Sequence, residues 1–289
     1  MLRPFARALR FLSLRIDVPP SPEDIHGMNP NPRQLALLDD VRRQGTVSVE
    51  SLAQRHGVAL QTVRRDLSRL ETAGLLARFH GGVRLPDSTT ENLGYRQRQQ
   101  LNAQAKQAIA RAVAAAVPSG ASLFMNIGTT TEAVAQALLH HRGLTVITNN
   151  LHVAEILADN ADCEVIVAGG VVRGRDRGVV GEATVEFIRQ FKVDIGLIGI
   201  SGIEADGSLR DFDYREVMVA QTIIAQSRAV WLAADRSKFG RPAMVRLAQL
   251  AQLDRLFTND MPPDPFARLL ADAGVTLDVA DADPSRELR

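Results

Sequence analysis

The sequence predicts an α/β protein in two parts, a small helical head followed by a larger domain built on a parallel sheet. Three observations carry this reading. From Ala121 onward, short β-branched stretches alternate with helical ones, and near-continuous apolar strands separated by helices make a parallel sheet covered on both faces. Before them stand three short amphipathic segments crowded with arginine. The charge is also split: residues 33–84 hold nine Lys+Arg against five Asp+Glu, a net +4, and the rest of the chain holds 25 against 28, a net −3, within totals of 34 and 33. A basic head on a faintly acidic body points to a polyanion at one end only.

Taken in order, residues 1–27 fit nothing downstream. In MLRPFARALRFLSLRI, arginines break every apolar run, so the uninterrupted core of a signal peptide is absent, and no small-residue cleavage site follows. VPPSPEDIHG reads as a linker. A disordered extension is expected, with a membrane-surface helix as the alternative. The first helix is Pro32 to Gln44, with Leu35, Leu38 and Val41 on one side and Gly45 at its end. Val49 to His56 is the second, capped by Ser48 and closed by Gly57, with Leu52 and Ala53 inward.

Gln61 to Leu70 is the third helix. Val63, Leu67 and Leu70 fall at i, i+4 and i+7, so one stripe packs inward and leaves Gln61, Thr62, Arg64, Arg65 and Arg69 largely off it. Helix, tight turn and arginine-rich helix is the helix-turn-helix pattern, whose second helix enters the major groove of double-stranded DNA. For Arg69 a plain solvated face is the competing reading. After Gly74, the stretch Leu75 to Val83 reads as a strand, a turn at His80-Gly81-Gly82 and a return. That is a wing, from which Arg78 and His80 meet the duplex backbone. The head is thus a winged helix-turn-helix.

Pro86 to Thr90 is a polar linker, and Asn102 to Val117 an alanine-rich helix stopped by Pro118-Ser119-Gly120. The strands follow at Ser122 to Ile127, Leu144 to Thr148, Glu164 to Ala168, Val193 to Ile200, Ala229 to Ala234, Arg255 to Thr258 and Thr276 to Val279. In such sheets ligands bind at the carboxyl ends of the strands, and the unusual residues cluster there. The first strand runs into Gly128-Thr129-Thr130, which opens a helix expected over Thr131 to His140. Free backbone N–H groups, hydroxyls and the positive helix end suit an anion, most naturally a phosphate. The bland alternative is that Thr129 only caps the helix. Other strands end in Thr148-Asn149-Asn150, in Gly169-Gly170 with Arg173 beyond, and in the run Asp235 to Gly240. Lys238 or Arg173 is the expected counter-ion.

Composition excludes several classes. Hydrophobic residues make up 45% of the chain, yet no apolar run approaches the roughly 20 residues of a membrane span, so no membrane partner is expected. The single Cys163, read as a buried small residue, forbids an internal disulfide and a cysteine zinc site and fits a cytoplasmic protein. His140-His141 lie at a helix end and His152 opens another helix, without ligand-spaced partners, so no metal is expected. No strand is followed by G-x-G-x-x-G, which removes a dinucleotide enzyme.

The run VRRDLSRLETAGLLARFHGGV resembles the N-terminal domain of the DeoR family of bacterial transcriptional repressors. The stretches IGTTTEAVAQALL, TVITNN, VIVAGGVVR, GEAT, IGISGIEADGSL and DRSKFGR resemble its sensor domain, in order, so that the likeness covers nearly everything from Asn31 to Asn259. The resemblance implies a repressor rather than an enzyme, with a Rossmann-like, phosphosugar-isomerase-like sensor that binds a phosphorylated sugar or polyol and needs no cofactor. GVVGEATVEFIRQFKVDIGLIGISGIEADGSLRDFDYREV is similar to the branch controlling glycerol 3-phosphate genes, which implies glycerol 3-phosphate as effector. Another sugar phosphate is the alternative. A phosphosugar isomerase using Asp206, Glu216 and Lys238 as acid–base groups is a further one.

Carried over by motif, Gly128, Thr129 and Thr130 match the phosphate loop. Thr148, Asn149, Asn150, Gly169, Gly170, Arg173 and Lys238 match the remaining lining. Asp206, Asp211, Asp213, Tyr214 and Glu216 match a polar segment at the mouth. Tyr95-Arg96 and Lys106 match an arginine-containing connector, for which dimer contacts are implied. A homo-oligomer, dimer or tetramer, follows from the same likeness. Two departures stand out: Ala59 replaces the Ser or Thr that caps the recognition helix, and Asn126 replaces an Asp at the end of the first strand. The expected divisions are an extension at 1–27, the head at 28–86, a linker at 87–101, the sensor at 102–280 and a tail at 281–289.

Overall fold

The computed structural model describes residues 30–280 apart from 45, 74, 80, 81, 85–88, 90 and 91. The expected N-terminal extension, the glycines at 45 and 74, His80 and the C-terminal tail therefore lie outside the described residues.

The head is built from α1 (Pro32–Gln44), β1 (Thr46–Ser48), α2 (Val49–His56), α3 (Leu60–Thr72), β2 (Ala77–Phe79) and β3 (Gly82–Arg84). The last strand lies in the middle of a small antiparallel sheet, pairing with β1 on one side and β2 on the other. Ser48 caps α2, its Oγ accepting from the N–H of Ser51 at 3.1 Å, and Gly57 closes it at φ 61°, a left-handed conformation that glycine adopts without a Cβ penalty. Leu37, Leu38, Val41, Leu52, Val63, Leu67, Leu70 and Val83 form one core. One inward residue differs from expectation. Leu35 is 48% exposed and Gln34 is buried in its place, because the Gln34 amide donates to the buried carboxylate of Asp66 on α3 at 2.9 Å. That bond turns the face of α1 towards Gln34, Leu37, Leu38 and Val41.

Two helices follow, α4 (Tyr95–Gln100) and α5 (Ala103–Ala116), and then the body. Its first half runs β4 (Ser122–Met125), α6 (Thr129–Ala137), β5 (Leu144–Thr148), α7 (Leu151–Leu157), β6 (Cys163–Val167), β7 (Val171–Arg173), β8 (Gly178–Val180) and α8 (Glu182–Ile188). The second runs β9 (Val193–Ile198), β10 (Gly202–Ile203), β11 (Ser208–Asp211), α9 (Tyr214–Ala225), β12 (Ser227–Ala233), β13 (Val245–Gln249), β14 (Arg255–Thr258), α10 (Asp264–Asp272) and β15 (Thr276–Val279).

The seven expected strands form one sheet in the order β15-β14-β12-β9-β4-β5-β6, every pair parallel. Helices α5, α6 and α7 cover one face over Ile109, Val113, Leu123, Val134, Trp231 and Phe257. The other face, over Phe124, Ile198, Val217, Ile223, Leu232 and Phe266, is covered by α8, α9 and α10. The helix opened by the Gly-Thr-Thr loop begins at Thr129 and ends at Ala137, earlier at both ends than its sequence suggested. Two antiparallel additions were not anticipated, the β7–β8 hairpin and the β10-β11-β13 sheet. Cys163 is half-buried on the edge strand β6, rather than buried, because no strand covers it there.

From β4 the chain steps outward to β5 and β6, then returns to the opposite side of β4 to lay down β9. The direction of winding reverses between β4 and β9. A crevice opens outside the carboxyl ends of strands at such a reversal, since the flanking connections leave to opposite faces.

Candidate functional site

Part of what the sequence placed at strand ends meets in this crevice. The loop after β4 supplies Ile127, Gly128, Thr129 and Thr130, and the loop after β9 supplies Gly199, Ile200 and Ser201. Asp211 and Glu216 line it from β11 and α9, Lys238 from the turn after β12, and Arg98 from α4. Gly128 caps α6 without a side chain, so the first N–H groups of that helix have no intrahelical partner. The Thr131 hydroxyl is committed to the backbone oxygens of Asn126 and Gly128 at 2.9 and 2.7 Å. Asn126 Oδ1 accepts from the Gly199 N–H at 2.9 Å, tying the ends of β4 and β9 together. An aspartate there would accept the same bond, so the amide keeps the clasp and drops a charge beside the helix end.

Cations and carboxylates divide the cleft. Burial pushes the Lys238 ammonium below its ordinary value, against the pull of the Asp235 carboxylate. Burial pushes Asp235 up, but Lys238 and the Ser237 donors outweigh it and leave the carboxylate low. Asp211 is raised by burial, although it accepts from the Phe212 N–H and the Ser201 hydroxyl. Glu216 is pushed up to about 7 by burial and by Asp211, with Arg173 opposing. The arrangement thus offers a helix end with two cations to an anion, and two carboxyls of weakened acidity to hydroxyl groups.

The structure gathers Gly128, Thr129, Thr130 and Lys238 in this cleft and seats other expected lining residues elsewhere. Thr148 Oγ1 donates to the Met125 oxygen at 2.7 Å, Asn149 Nδ2 to the Val179 oxygen at 2.9 Å, and Asn150 Nδ2 to Glu132 at 3.3 Å while its Oδ1 caps α7. These three are buried braces behind the loop. Gly169 accepts the Thr184 hydroxyl at 2.8 Å. At Gly170 (φ 151°) a Cβ would meet that same hydroxyl at 2.1 Å, so close approach explains this glycine. Arg173 is not an available counter-ion: Asp176, Asp213 and Glu216 hold its guanidinium at 2.7 to 2.9 Å. Asp206 accepts from Ser208 in its own exposed turn, and Tyr214 is 65% exposed.

Sequence reasoning passed over Arg98 and Ser201 and named Arg96 as the connector cation. Arg96 is exposed. The signal for Arg98 was its spacing from Tyr95, one helical turn, within a stretch taken as linker.

On the head, Gln61, Arg64, Arg65 and Arg69 are exposed on α3, and Thr62 is half-buried. Ala59 makes no side-chain cap at the start of this helix. Arg78 does not project freely from the wing. Its guanidinium donates to the Arg64 oxygen at 2.8 Å and the Ser68 hydroxyl at 2.6 Å and pairs with Glu71 at 2.9 Å, pinning the wing to α3. Among the described residues no helix is long and apolar enough to cross a membrane, and no group of His, Cys, Asp and Glu forms a candidate metal site.

Residues 33–89 match the DeoR-like helix-turn-helix domain, and residues 101–260 match the DeoR C terminal sensor domain. The chain is 44% identical to the glycerol-3-phosphate regulon repressor of Escherichia coli (strain K12), over 87% of this chain and 100% of that one. It is 48% identical to the glycerol-3-phosphate regulon repressor of Haemophilus influenzae over 80% and 89%, and 38% identical to the Escherichia coli repressor CsqR over 86% and 94%. Among solved structures, ribose 5 phosphate isomerase A from Neisseria gonorrhoeae aligns at a TM-score of 0.33 and 15% identity, over 49% of this chain and 54% of that one.

Proposed function

This chain belongs to the DeoR family, and on that premise we propose that it is a cytoplasmic repressor of glycerol 3-phosphate genes, released from its operator by glycerol 3-phosphate. The observation that carries the reading is a cleft with an anion-type helix end and cations at a topological switch point, in a chain whose head is a helix-turn-helix. In this reading the start of α3 enters the major groove, where Arg64 and Arg65 meet base edges or phosphates and Gln61 and Thr62 complete the surface. Arg69 adds charge farther along the helix.

The phosphate of the effector sits against Gly128, Thr129 and Thr130 with Lys238 as counter-ion, and its hydroxyls face Ser201, Asp211 and Glu216. Thr148, Asn149, Asn150, Gly169, Gly170 and Arg173 support the loop and hairpin around it. A helix-turn-helix reader commonly works as a dimer on two half-sites one turn apart, and a homo-oligomer is part of this reading. Release requires the effector to bind the DNA-incompetent state better, typically by about 1 to 3 kcal/mol.

Gel-shift titration with the operator of a glycerol 3-phosphate gene tests the whole. The complex forms at low salt and dissolves at millimolar glycerol 3-phosphate; a complex that persists there removes this effector.

A further inference from the structure

We propose that Arg98 is an anion ligand of the cleft, and that its capture by the bound anion is the event the head senses. The proposal rests on the reading of the cleft as a phosphate-ester site.

Arg98 belongs to α4, the first helix after the head's last strand among the described residues, and it lines the cleft beside Gly128, Thr129 and Lys238. Its guanidinium is underused. One Nη reaches Asp176 at 3.4 Å, while Nε is buried with no partner. Five donors in a fixed fork match a phosphate's oxygens, and leaving a buried donor without a partner costs free energy. An anion that completes the fork therefore favours the arrangement in which α4 is docked.

Docking of α4 is tied to the anion loop itself. The Arg98 carbonyl accepts from Thr129 Oγ1 at 3.4 Å and also from the buried Lys106 ammonium. Tyr95, one turn earlier, donates its hydroxyl to Glu132 of α6 at 2.8 Å and stacks on His152 with ring centroids 5.1 Å apart. Upstream, Asn92 donates to the Ser201 hydroxyl at 3.3 Å and accepts from Arg241 at 2.9 Å. The strap from residue 92 to residue 100 is thus a wall of the cleft as well as the tether of the head. Fixing Arg98 fixes where the strap leaves the body, and so restricts the orientations open to the two heads of a dimer. A ligand acts on the equilibrium only through such a difference between states.

The test uses the full chain, with glycerol 3-phosphate and inorganic phosphate as probes, calorimetry for binding and anisotropy of labelled operator for release. Arg98→Ala should bind both probes about tenfold more weakly or worse and keep the operator at concentrations that saturate the variant. Arg98→Lys, which retains the cation and safeguards the fold, should bind with intermediate affinity. Tyr95→Phe does not line the cleft; it should bind the probes as wild type does and release operator incompletely. Unchanged phosphate affinity in Arg98→Ala, or full release by that variant at saturation, overturns the proposal, and full release by Tyr95→Phe overturns the relay. If the wild-type chain binds phosphate but not glycerol 3-phosphate, the effector's identity fails while Arg98's part is still read from phosphate. Binding of neither probe overturns both.

Discussion

The empty cap on the recognition helix makes a quantitative prediction. Ala59 holds the N-cap of α3 at φ −61°, ψ 142° with no side-chain bond, whereas Ser48 holds the N-cap of α2 at φ −72°, ψ 150° and accepts from Ser51. The two backbones are nearly alike, so Ala59→Ser needs no rearrangement before its hydroxyl accepts from the first turn of α3. Such a cap contributes about 1 kcal/mol, which corresponds to about a fivefold change in the opening equilibrium of that turn at 25 °C. Hydrogen exchange of the full chain reads it: amides at residues 60–63 of Ala59→Ser should exchange about fivefold more slowly where opening is local. Operator affinity should rise by no more than this factor, because ordering the helix end is part of the cost of binding. Ser48→Ala is the internal control and should lose a similar amount of protection at the start of α2. If α2 responds and α3 does not, the end of α3 is already held by the backbone bonds from Thr62 and Val63 to the Ala59 oxygen, at 2.9 and 3.2 Å, and the argument from the missing hydroxyl is wrong.

Further expectations concern both ends of the molecule. Arg65→Ala should weaken operator binding by about 1 to 3 kcal/mol if the side chain reads a base, or reduce the salt dependence if it meets a phosphate; identical affinity and slope refute its contact. Lys238→Ala should leave operator affinity unchanged and abolish the calorimetric signal of glycerol 3-phosphate, and a persisting signal would move the anion elsewhere. Asp66→Ala strips the buried Gln34 amide of its acceptor and should destabilise the head by about 1 to 3 kcal/mol in urea. Burial raises the Asp66 carboxyl, but the bonds from Arg33 and Gln34 outweigh it and hold it below 3.8. Its contribution is therefore complete above the ordinary carboxylate value and disappears as pH falls through the lowered one; an acid melt of Asp66→Asn should lack that loss. Burial and Asp211 push Glu216 up to about 7, and a phosphate dianion bound nearby would favour its protonated form further. Effector affinity should fall as pH rises above about 7, and Glu216→Gln should remove that fall.

What the sequence disclosed, and what it withheld, follows from how local each cause is. The recognition helix was legible because Val63, Leu67 and Leu70 make a stripe by themselves. The inward face of α1 was not, because Leu35, Leu37 and Leu38 allow two stripes and the choice is made by the bond from Gln34 to Asp66, 32 residues away. The seven parallel strands were readable because burial on both faces makes them continuously apolar. The β7–β8 hairpin and the strands β10 and β11 are two to four residues long, too short for a period to appear. Arg173 was misread as a free cation for a related reason: two of its three carboxylate partners, Asp213 and Glu216, lie 40 and 43 residues downstream.

Arg98 is the most instructive omission, since YRQRQQ carries no apolar stripe and a helix without one is invisible to periodicity. What holds α4 is largely polar: its own Tyr95 donates its hydroxyl to Glu132 and stacks on His152 of the body, and Lys106 of α5 donates to the Arg98 oxygen. Burial lowers Lys106 to about 8, with Lys238 nearby working in the same direction, so its charge is retained at a cost that burial of an apolar side chain would not carry. Apolar packing would fix α4 equally well, but it would not respond to an anion. Polar docking leaves the strap poised, because each of its bonds is modest and one of them is donated by Thr129, on the loop proposed to hold the anion. A sensor requires this balance: if α4 were welded to the body, effector binding would have no second arrangement to select, and the head would be deaf to an occupied cleft.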